Sequence, residues 1–466
     1  MYSPLDTIAA ISTPRGHGGI GIIRLSGPLA LEISSKIFFP SSKSSLENIK
    51  PNVLVHGWAR DEKNRPVDEV MRVFMRAPHS YTAEDIVELS AHGGAAVLDK
   101  LLGLCLKYGA RLAAPGEFTL RAFVNGRMDL SRAEAVADII TGKTELAARA
   151  AAVQLTGAFY EKLNTFKNFL LEFLSRLEAS IDHPDEDIRF WEASSVKENL
   201  LAIIGAMEGL LAGAQKGRLL REGMRIAVIG RPNSGKSSVL NALLQRERAI
   251  VSDIPGTTRD TIEESVDICG IPAIIVDTAG LRSHTLDPIE KIGHARTVEN
   301  IKNADMIFWI FDAADSIGES ERHIAGILNE MNAARKTVPV LNKIDLAPRL
   351  EEGAINGLVE GLRGPVRISA LKAVSLESLE QAVADFSGIN TLSLDEPVLT
   401  NSRHSDILKR AKNSCEEALQ SVSGGESDEF TAFHVREALN IIGELTGETS
   451  TEDILENIFS KFCIGK

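Results

Sequence analysis

The run Gly230-Arg231-Pro232-Asn233-Ser234-Gly235-Lys236-Ser237 has the residue types and spacing to hold a chain of phosphates. An apolar, β-branched segment, Met224 to Ile229, leads into it, and a helical pattern (Val239, Leu240, Leu243, Leu244) follows. That is the strand–loop–helix setting a G-x-x-x-x-G-K-S phosphate loop requires. Glycines let the backbone curl so that successive N–H groups converge on phosphate oxygens. The helix start adds a positive dipole end, Lys236 adds a full charge, and the Ser237 hydroxyl can ligate Mg²⁺. Asn233, Ser234, Gly235, Lys236, Ser237 and Ser238 are therefore expected at a nucleotide's phosphates.

Further guanine-nucleotide signals follow in order. Asp277-Thr278-Ala279-Gly280 ends a buried strand, where Asp277 can reach the Mg²⁺ shell and the Gly280 N–H the γ-phosphate. Asn342-Lys343-Ile344-Asp345 ends a later strand. The Asp345 carboxylate can accept two hydrogen bonds from a guanine edge, a paired donor face that adenine lacks, so GTP is expected over ATP. Ser369-Ala370 stands where a guanine-binding loop closes the base site, with Leu371 in place of the usual lysine. Ser252-Asp253-Ile254-Pro255-Gly256-Thr257-Thr258-Arg259-Asp260 reads as the first switch, with Thr258 a second Mg²⁺ ligand. After Gly280, where many GTPases carry a water-orienting glutamine, stands Leu281. An aliphatic side chain cannot orient water, so hydrolysis needs another group. Glu290 is the candidate for it; Arg259 and Arg282 are either charge stabilisers or surface ions.

These residues must be carried by more than one core, since 466 residues exceed what a single core organises. Residues 1–118 mix short strands (Gly19–Leu25, Val70–Arg76, Ile86–Ser90) with a helix over Ala95–Tyr108, an α+β pattern. Residues 119–218 read as helix, with Leu163, Phe166, Phe169, Leu170, Phe173 and Leu177 forming a core stripe. Residues 219–386 alternate strands (Ile274–Asp277, Met306–Asp312, Val338–Asn342) with helices, as a doubly wound parallel sheet does. Residues 387–466 are helical again, and Ser450-Thr-Glu-Asp453 has the capping-box pattern for a last helix.

A net charge of −13 argues against a broad basic face, so any nucleic acid meets a local patch or comes with a partner. No apolar run spans a bilayer, Met1–Gly21 does not read as a signal peptide, and Cys463-Ile464-Gly465-Lys466 is a poor prenylation box. Four cysteines (Cys105, Cys269, Cys415, Cys463) without C-x-x-C or zinc spacing fit a reducing cytoplasm.

Four blocks bracket the nucleotide set: T-P-R-G-H-G-G-I-G-I-I-R-L-S-G (Thr13–Gly27), S-Y-T-A-E-D-I-V-E-L-S-A-H-G-G (Ser80–Gly94), P-G-E-F-T-L-R-A-F-V-N-G-R-M-D-L (Pro115–Leu130) and F-C-I-G-K (Phe462–Lys466). With them the whole chain resembles the MnmE (TrmE) family of tRNA-modification GTPases. The resemblance implies an α+β N-terminal domain that dimerises and binds 5-formyl- or 5,10-methylene-tetrahydrofolate. It also implies an α/β P-loop GTPase domain, with a doubly wound, mostly parallel sheet, inserted in an all-α helical domain. Matching positions put folate on Arg24, Glu88 and Arg127, with Lys466 nearby; taken alone, Arg24 and Glu88 read as a strand-surface ion pair. The family position of Arg127 often carries lysine, which keeps the charge but changes the contact geometry.

The resemblance further implies a K⁺ ion in the arginine-finger role, held by Asn233 and by oxygens of Ser252, Ile254 and Thr257, with Glu290 orienting water. It places Cys463 near folate and uridine, as nucleophile, acid or neither. The implied protein is a cytoplasmic, homodimeric GTPase. With an MnmG-like FAD protein, in a heterotetramer or larger complex, it adds an aminomethyl or carboxymethylaminomethyl group at C5 of a tRNA wobble uridine. The alternatives are a ribosome-assembly GTPase switch and a folate-dependent small-molecule transferase. The first predicts an RNA-binding KH module, yet no G-x-x-G clamp follows Ser369.

Overall fold

The computed structural model describes residues 6–41, 50–183, 192–246, 249–250, 265–276, 298–393 and 396–466. The chain divides into two compact units. One comprises Met1–Ala137, Phe159–Asn168 and Leu439–Lys466, the other Asp138–Ala158 and Phe169–Ala438.

In the first unit, strands β1 (Ile8–Ile11), β2 (Gly18–Ser26), β3 (Phe38–Pro40), β4 (Val55–Arg60), β5 (Pro66–Met75), β6 (Ile86–Gly93) and β7 (Arg111–Leu112) form one sheet in the order β3-β4-β5-β6-β2-β1-β7. All pairs are antiparallel except β1 with β7. Strand alternation sends Ile23, Leu25, Val87 and Leu89 into a core covered by the helices Ala30–Ile37 and Ala95–Lys107. Arg24 and Glu88, one residue out of phase, face the other way and stand opposite each other in the register. On that second side Ile8, Ala10, Ala113 and Phe118 make a smaller core with Tyr81.

In the second unit the sheet order is β14-β13-β12-β8-β11-β10-β9, built from β8 (Met224–Ile229), β9 (Ala249–Ile250), β10 (Ser265–Ile268), β11 (Ile271–Val276), β12 (Met306–Asp312), β13 (Thr337–Asn342) and β14 (Val366–Arg367). The five strands from β14 to β11 run parallel, and β10 and β9 are antiparallel. The continuous apolar run of β12 follows from burial on both faces. Met306, Phe308 and Ile310 pack with the helices Ala214–Glu222, Lys236–Arg246 and Glu377–Ser387, while Ile307, Trp309 and Phe311 pack with Glu319–Glu330. This is the expected doubly wound α/β fold.

Helices lie on both sides of this sheet in sequence. Ala193–Ala212, before it, packs along Ser402–Gly424, after it, with Lys412 and Glu208 paired at 3.0 Å. The α/β fold is thus an insertion in a helical domain. The last helix differs from expectation: it runs Glu452–Phe459 with Thr451 at its N-cap and no side-chain cap bond. The Ser450 hydroxyl instead donates to the Glu444 carbonyl, so the capping-box pattern is not used.

Candidate functional site: a guanine-nucleotide pocket and an arginine–glutamate cleft

The C-terminal ends of β8 and β13 bring the first set of predicted residues together. The loop after β8 closes into the helix Lys236–Arg246, whose first residue is the motif lysine. Its ammonium is held by the Gly230 carbonyl at 2.9 Å and the Arg231 carbonyl at 2.8 Å. Ser237 and Ser238 are exposed on the helix's first turn, where free N–H groups and the helix dipole favour an anion. Gly235 is required twice over. Its φ is +94°, and a Cβ there would lie 2.1 Å from Asn342 Nδ2.

Asn342, almost fully buried, ties the phosphate loop to the base side. Its Nδ2 donates to the Ser234 carbonyl at 3.1 Å, and its Oδ1 accepts from the Ala370 N–H at 3.0 Å. The Lys343 ammonium adds a second tie, reaching the Asn233 carbonyl at 2.9 Å and Asp312 Oδ2 at 2.7 Å. Ser369, fully buried, donates from its hydroxyl to Asp345 Oδ1 at 2.6 Å. That bond, with the nearby Lys372 charge, holds the Asp345 carboxyl below the usual carboxylate range despite some burial penalty. An ionised carboxylate in this place can accept from two adjacent N–H donors. Leu371 is 84% exposed and touches none of this.

Arg231 is braced from outside by Asp315 at 2.6 Å and Glu321 at 3.2 Å. Asp312 and Lys372 were not singled out from the sequence. For Asp312 the sequence signal was only an acidic residue closing a buried strand; its place beside Lys343 comes from the β12–β13 pairing. Ser252–Asp260, with its switch and cation-ligand residues, lies outside the described residues, and so do Asp277–Gly280, Leu281, Arg282 and Glu290.

The first unit gathers the other predicted set. Arg24 Nε and Nη2 both lie 2.8 Å from Glu88 Oε1, and both side chains are largely buried. The Arg24 guanidinium sits 5.4 Å from the Tyr81 ring centroid and 5.7 Å from that of Phe118. Arg127 lies over the same Tyr81 ring at 5.0 Å, so both arginines share that ring. The Tyr81 hydroxyl is fixed against Thr119 at 2.9 Å.

Residues 462–466 join this cleft from far along the chain. Ile464 bridges to Pro115, the Phe118 N–H donates to the Lys466 carbonyl at 3.2 Å, and the Gly116 N–H donates to that of Cys463 at 3.4 Å. Gly465, at φ +96°, allows this path: a Cβ would lie 2.5 Å from the Ile11 carbonyl. Cys463 is exposed, whereas burial pushes the Cys105 and Cys415 thiols up to about 12, where the nucleophilic thiolate is scarce.

Behind the cleft Arg121, fully buried, holds Asp6 at 2.5 Å and Glu84 and Glu117 at 3.1 Å each. Burial alone would raise the Glu117 carboxyl. Hydrogen bonds from Arg111, the Ala114 N–H and Arg121 nonetheless bring it below its ordinary range. This network anchors the helix that carries Phe118.

Fold and pocket define a P-loop GTPase. Comparison with known proteins makes the assignment narrower. The family profile described as the MnmE helical domain matches residues 130–463, and that described as the GTP-binding protein TrmE N-terminus matches residues 7–127. The chain is similar to the tRNA modification GTPase MnmE of Thermoanaerobacter pseudethanolicus, at 45% identity over 99% of each chain. It is likewise similar to those of Symbiobacterium thermophilum, at 43% over 99% of each, and Acetivibrio thermocellus, at 41% over 100% of each. The chain belongs to the MnmE family. Translation elongation factor SelB from Methanococcus maripaludis overlaps 36% of this chain and 34% of its own at 15% identity, with a TM-score of 0.26, too low to carry a structural conclusion.

Proposed function

We propose that the protein hydrolyses GTP with K⁺ stimulation and, with an FAD-containing partner, adds an aminomethyl or carboxymethylaminomethyl group, its one-carbon unit from folate and its nitrogen from ammonium or glycine, at C5 of the wobble uridine of certain tRNAs. The observation that carries this reading is the Asn342–Lys343–Asp345 lattice, tied to the phosphate loop in a chain of this family.

The residues present fit the implied groups. Gly235, the Lys236 helix start and the exposed Ser237 suit a nucleotide and Mg²⁺, whose second ligand would be Thr258. Asn233, with φ +60° within the loop, suits one ligand of K⁺, the others being oxygens of Ser252, Ile254 and Thr257. A cation there would neutralise charge on the β- and γ-phosphates, the task an arginine finger performs elsewhere. Glu290 would orient the water, and Arg282 would add charge.

Folate would lie at Arg24, Glu88 and Arg127, with Lys466 beside them. The paired charges beside aromatic rings suit a flat, polar ring with a charged tail. Cys463, exposed in the adjoining segment, would act on the one-carbon unit or the uridine. Two such chains would pair, and an MnmG-like flavoprotein would complete the complex and bring much of the tRNA contact, consistent with the −13 net charge.

The test is reconstitution from purified chain, flavoprotein, tRNA, methylene-tetrahydrofolate, glycine as nitrogen donor and GTP, in K⁺ or in Na⁺ buffer. C5-modified uridine should form with GTP in K⁺ and fall sharply with GDP or in Na⁺. Equal yields in every arm would reject the reading.

A further inference from the structure

A carboxylate offers two oxygens and about four lone-pair positions. At Asp345 the Ser369 hydroxyl uses one on Oδ1, at 2.6 Å. The Lys372 ammonium stands 3.6 Å from Oδ2. The backbone N–H of Asp345 also contributes to holding the carboxylate, which is ionised and so acceptor-only, as two adjacent guanine N–H donors need.

The loop is folded so that residue 372, rather than 371, returns to the carboxylate. Ser369 and Val374 exchange backbone hydrogen bonds at 3.1 and 3.0 Å, and Ala373 and Ser375 take left-handed φ values of +53° and +58°. Within this turn the Lys372 N–H donates to the Ser369 hydroxyl oxygen at 3.3 Å, while Leu371 is turned to solvent. Lys372 thus touches both members of the Ser369–Asp345 pair, one through its backbone and one through its charge.

We propose that Lys372 is a positioning and specificity-determining residue of the guanine pocket, clamping Asp345 Oδ2 while Ser369 clamps Oδ1. It supplies from one position later the lysine that Leu371 does not provide. The proposal rests on the guanine reading of Asp345. The carboxylate is held from both oxygens, and its negative charge is favoured over the protonated form. Lys372 itself is 61% exposed, so its effect is that of a partly screened ion pair.

The experiment uses the full chain and measures GDP, IDP and XDP affinity for wild type, Lys372→Met, Lys372→Arg and Asp345→Asn. Inosine lacks the 2-amino donor and makes one bond fewer. Lys372→Met should therefore weaken GDP about two- to five-fold, IDP less, and lower the GDP-to-IDP preference. Lys372→Arg should restore that preference. The acid-side loss of GDP affinity should begin at higher pH in Lys372→Met, because an Asp345 without its cation protonates sooner. Asp345→Asn should shift preference from GDP to XDP. If it does so while Lys372→Met keeps the wild-type GDP-to-IDP preference and pH profile, the role given to Lys372 is overturned and the guanine reading stands. If Asp345→Asn leaves preference unchanged, the guanine reading fails and the Lys372 proposal with it.

Discussion

The pocket at the ends of β8 and β13 and the cleft around Arg24 and Glu88 both rest on charged side chains carried by strands, but they are assembled differently. In the pocket most ties run between a side chain and a backbone group at or just past strand ends. Asn342 reaches the Ser234 carbonyl, Lys343 the Asn233 carbonyl, and the Ala370 N–H reaches Asn342. In the cleft the central pair sits in mid-strand, side chain to side chain across antiparallel register, with walls from three separate segments. A backbone cradle is sensitive to an added atom. A side-chain cleft is sensitive to a removed one.

That contrast orders what substitutions should do. Gly235→Ala adds a Cβ to a left-handed position against Asn342. Strain of about 1–3 kcal/mol plus overlap should weaken GTP binding by at least about 100-fold, read by nucleotide titration. An alanine variant binding as wild type would break the cradle account. Asn342→Ala removes both partners of the Ser234 carbonyl and Ala370 N–H. At about 1–3 kcal/mol for buried groups left unsatisfied, GTP affinity should fall about 10- to 100-fold and thermal stability should fall with it.

In the cleft, Arg24→Ala should weaken tetrahydrofolate binding about ten-fold, the scale of a lost hydrogen bond to a charged group, without changing GTP affinity. Arg24→Lys should recover only part of it, because an ammonium lacks the planar fork that meets Glu88 and the rings. A change in GTP affinity instead would erase the distinction between the two sites.

The smallest effect is on acid stability. Glu117 is held below its ordinary value in the folded protein. Its contribution is therefore present above the unfolded value and is lost as pH falls through the lowered one. Glu117→Gln should lower stability near neutral pH by about 1–2 kcal/mol and flatten the acid limb of a denaturation series. An unchanged acid limb would remove Glu117 from the account.

How legible each site was follows from the same contrast. The phosphate loop, Asn342–Asp345 and Ser369-Ala370 are contiguous motifs whose function is set by their own backbone turns, so the sequence pattern carries them. The doubly wound sheet was legible because β12 and β13 are apolar on both faces. The Arg24–Glu88 ion pair, read from the sequence as a strand-surface pair, is present, but its place in a cleft was not legible from pattern. The partners are 64 residues apart and are brought opposite by the β2–β6 register; the family resemblance supplied only the folate role proposed for them. Lys372 escaped notice because two left-handed residues reset the loop by one position. The short strands β3, β7, β9 and β14 escaped because two or three residues carry no period. Ser450 misled because its hydroxyl has a competing acceptor in the Glu444 carbonyl.

The most direct test of the whole account joins the phosphate loop to the tRNA product. Cells lacking this gene would be complemented with the wild-type chain or with Lys236→Ala, and their tRNA nucleosides measured by mass spectrometry. The account predicts that C5-modified wobble uridines disappear in the deletion, return with the wild-type chain and stay absent with Lys236→Ala. Modified uridines that persist in the deletion, or that return equally with Lys236→Ala, would contradict it.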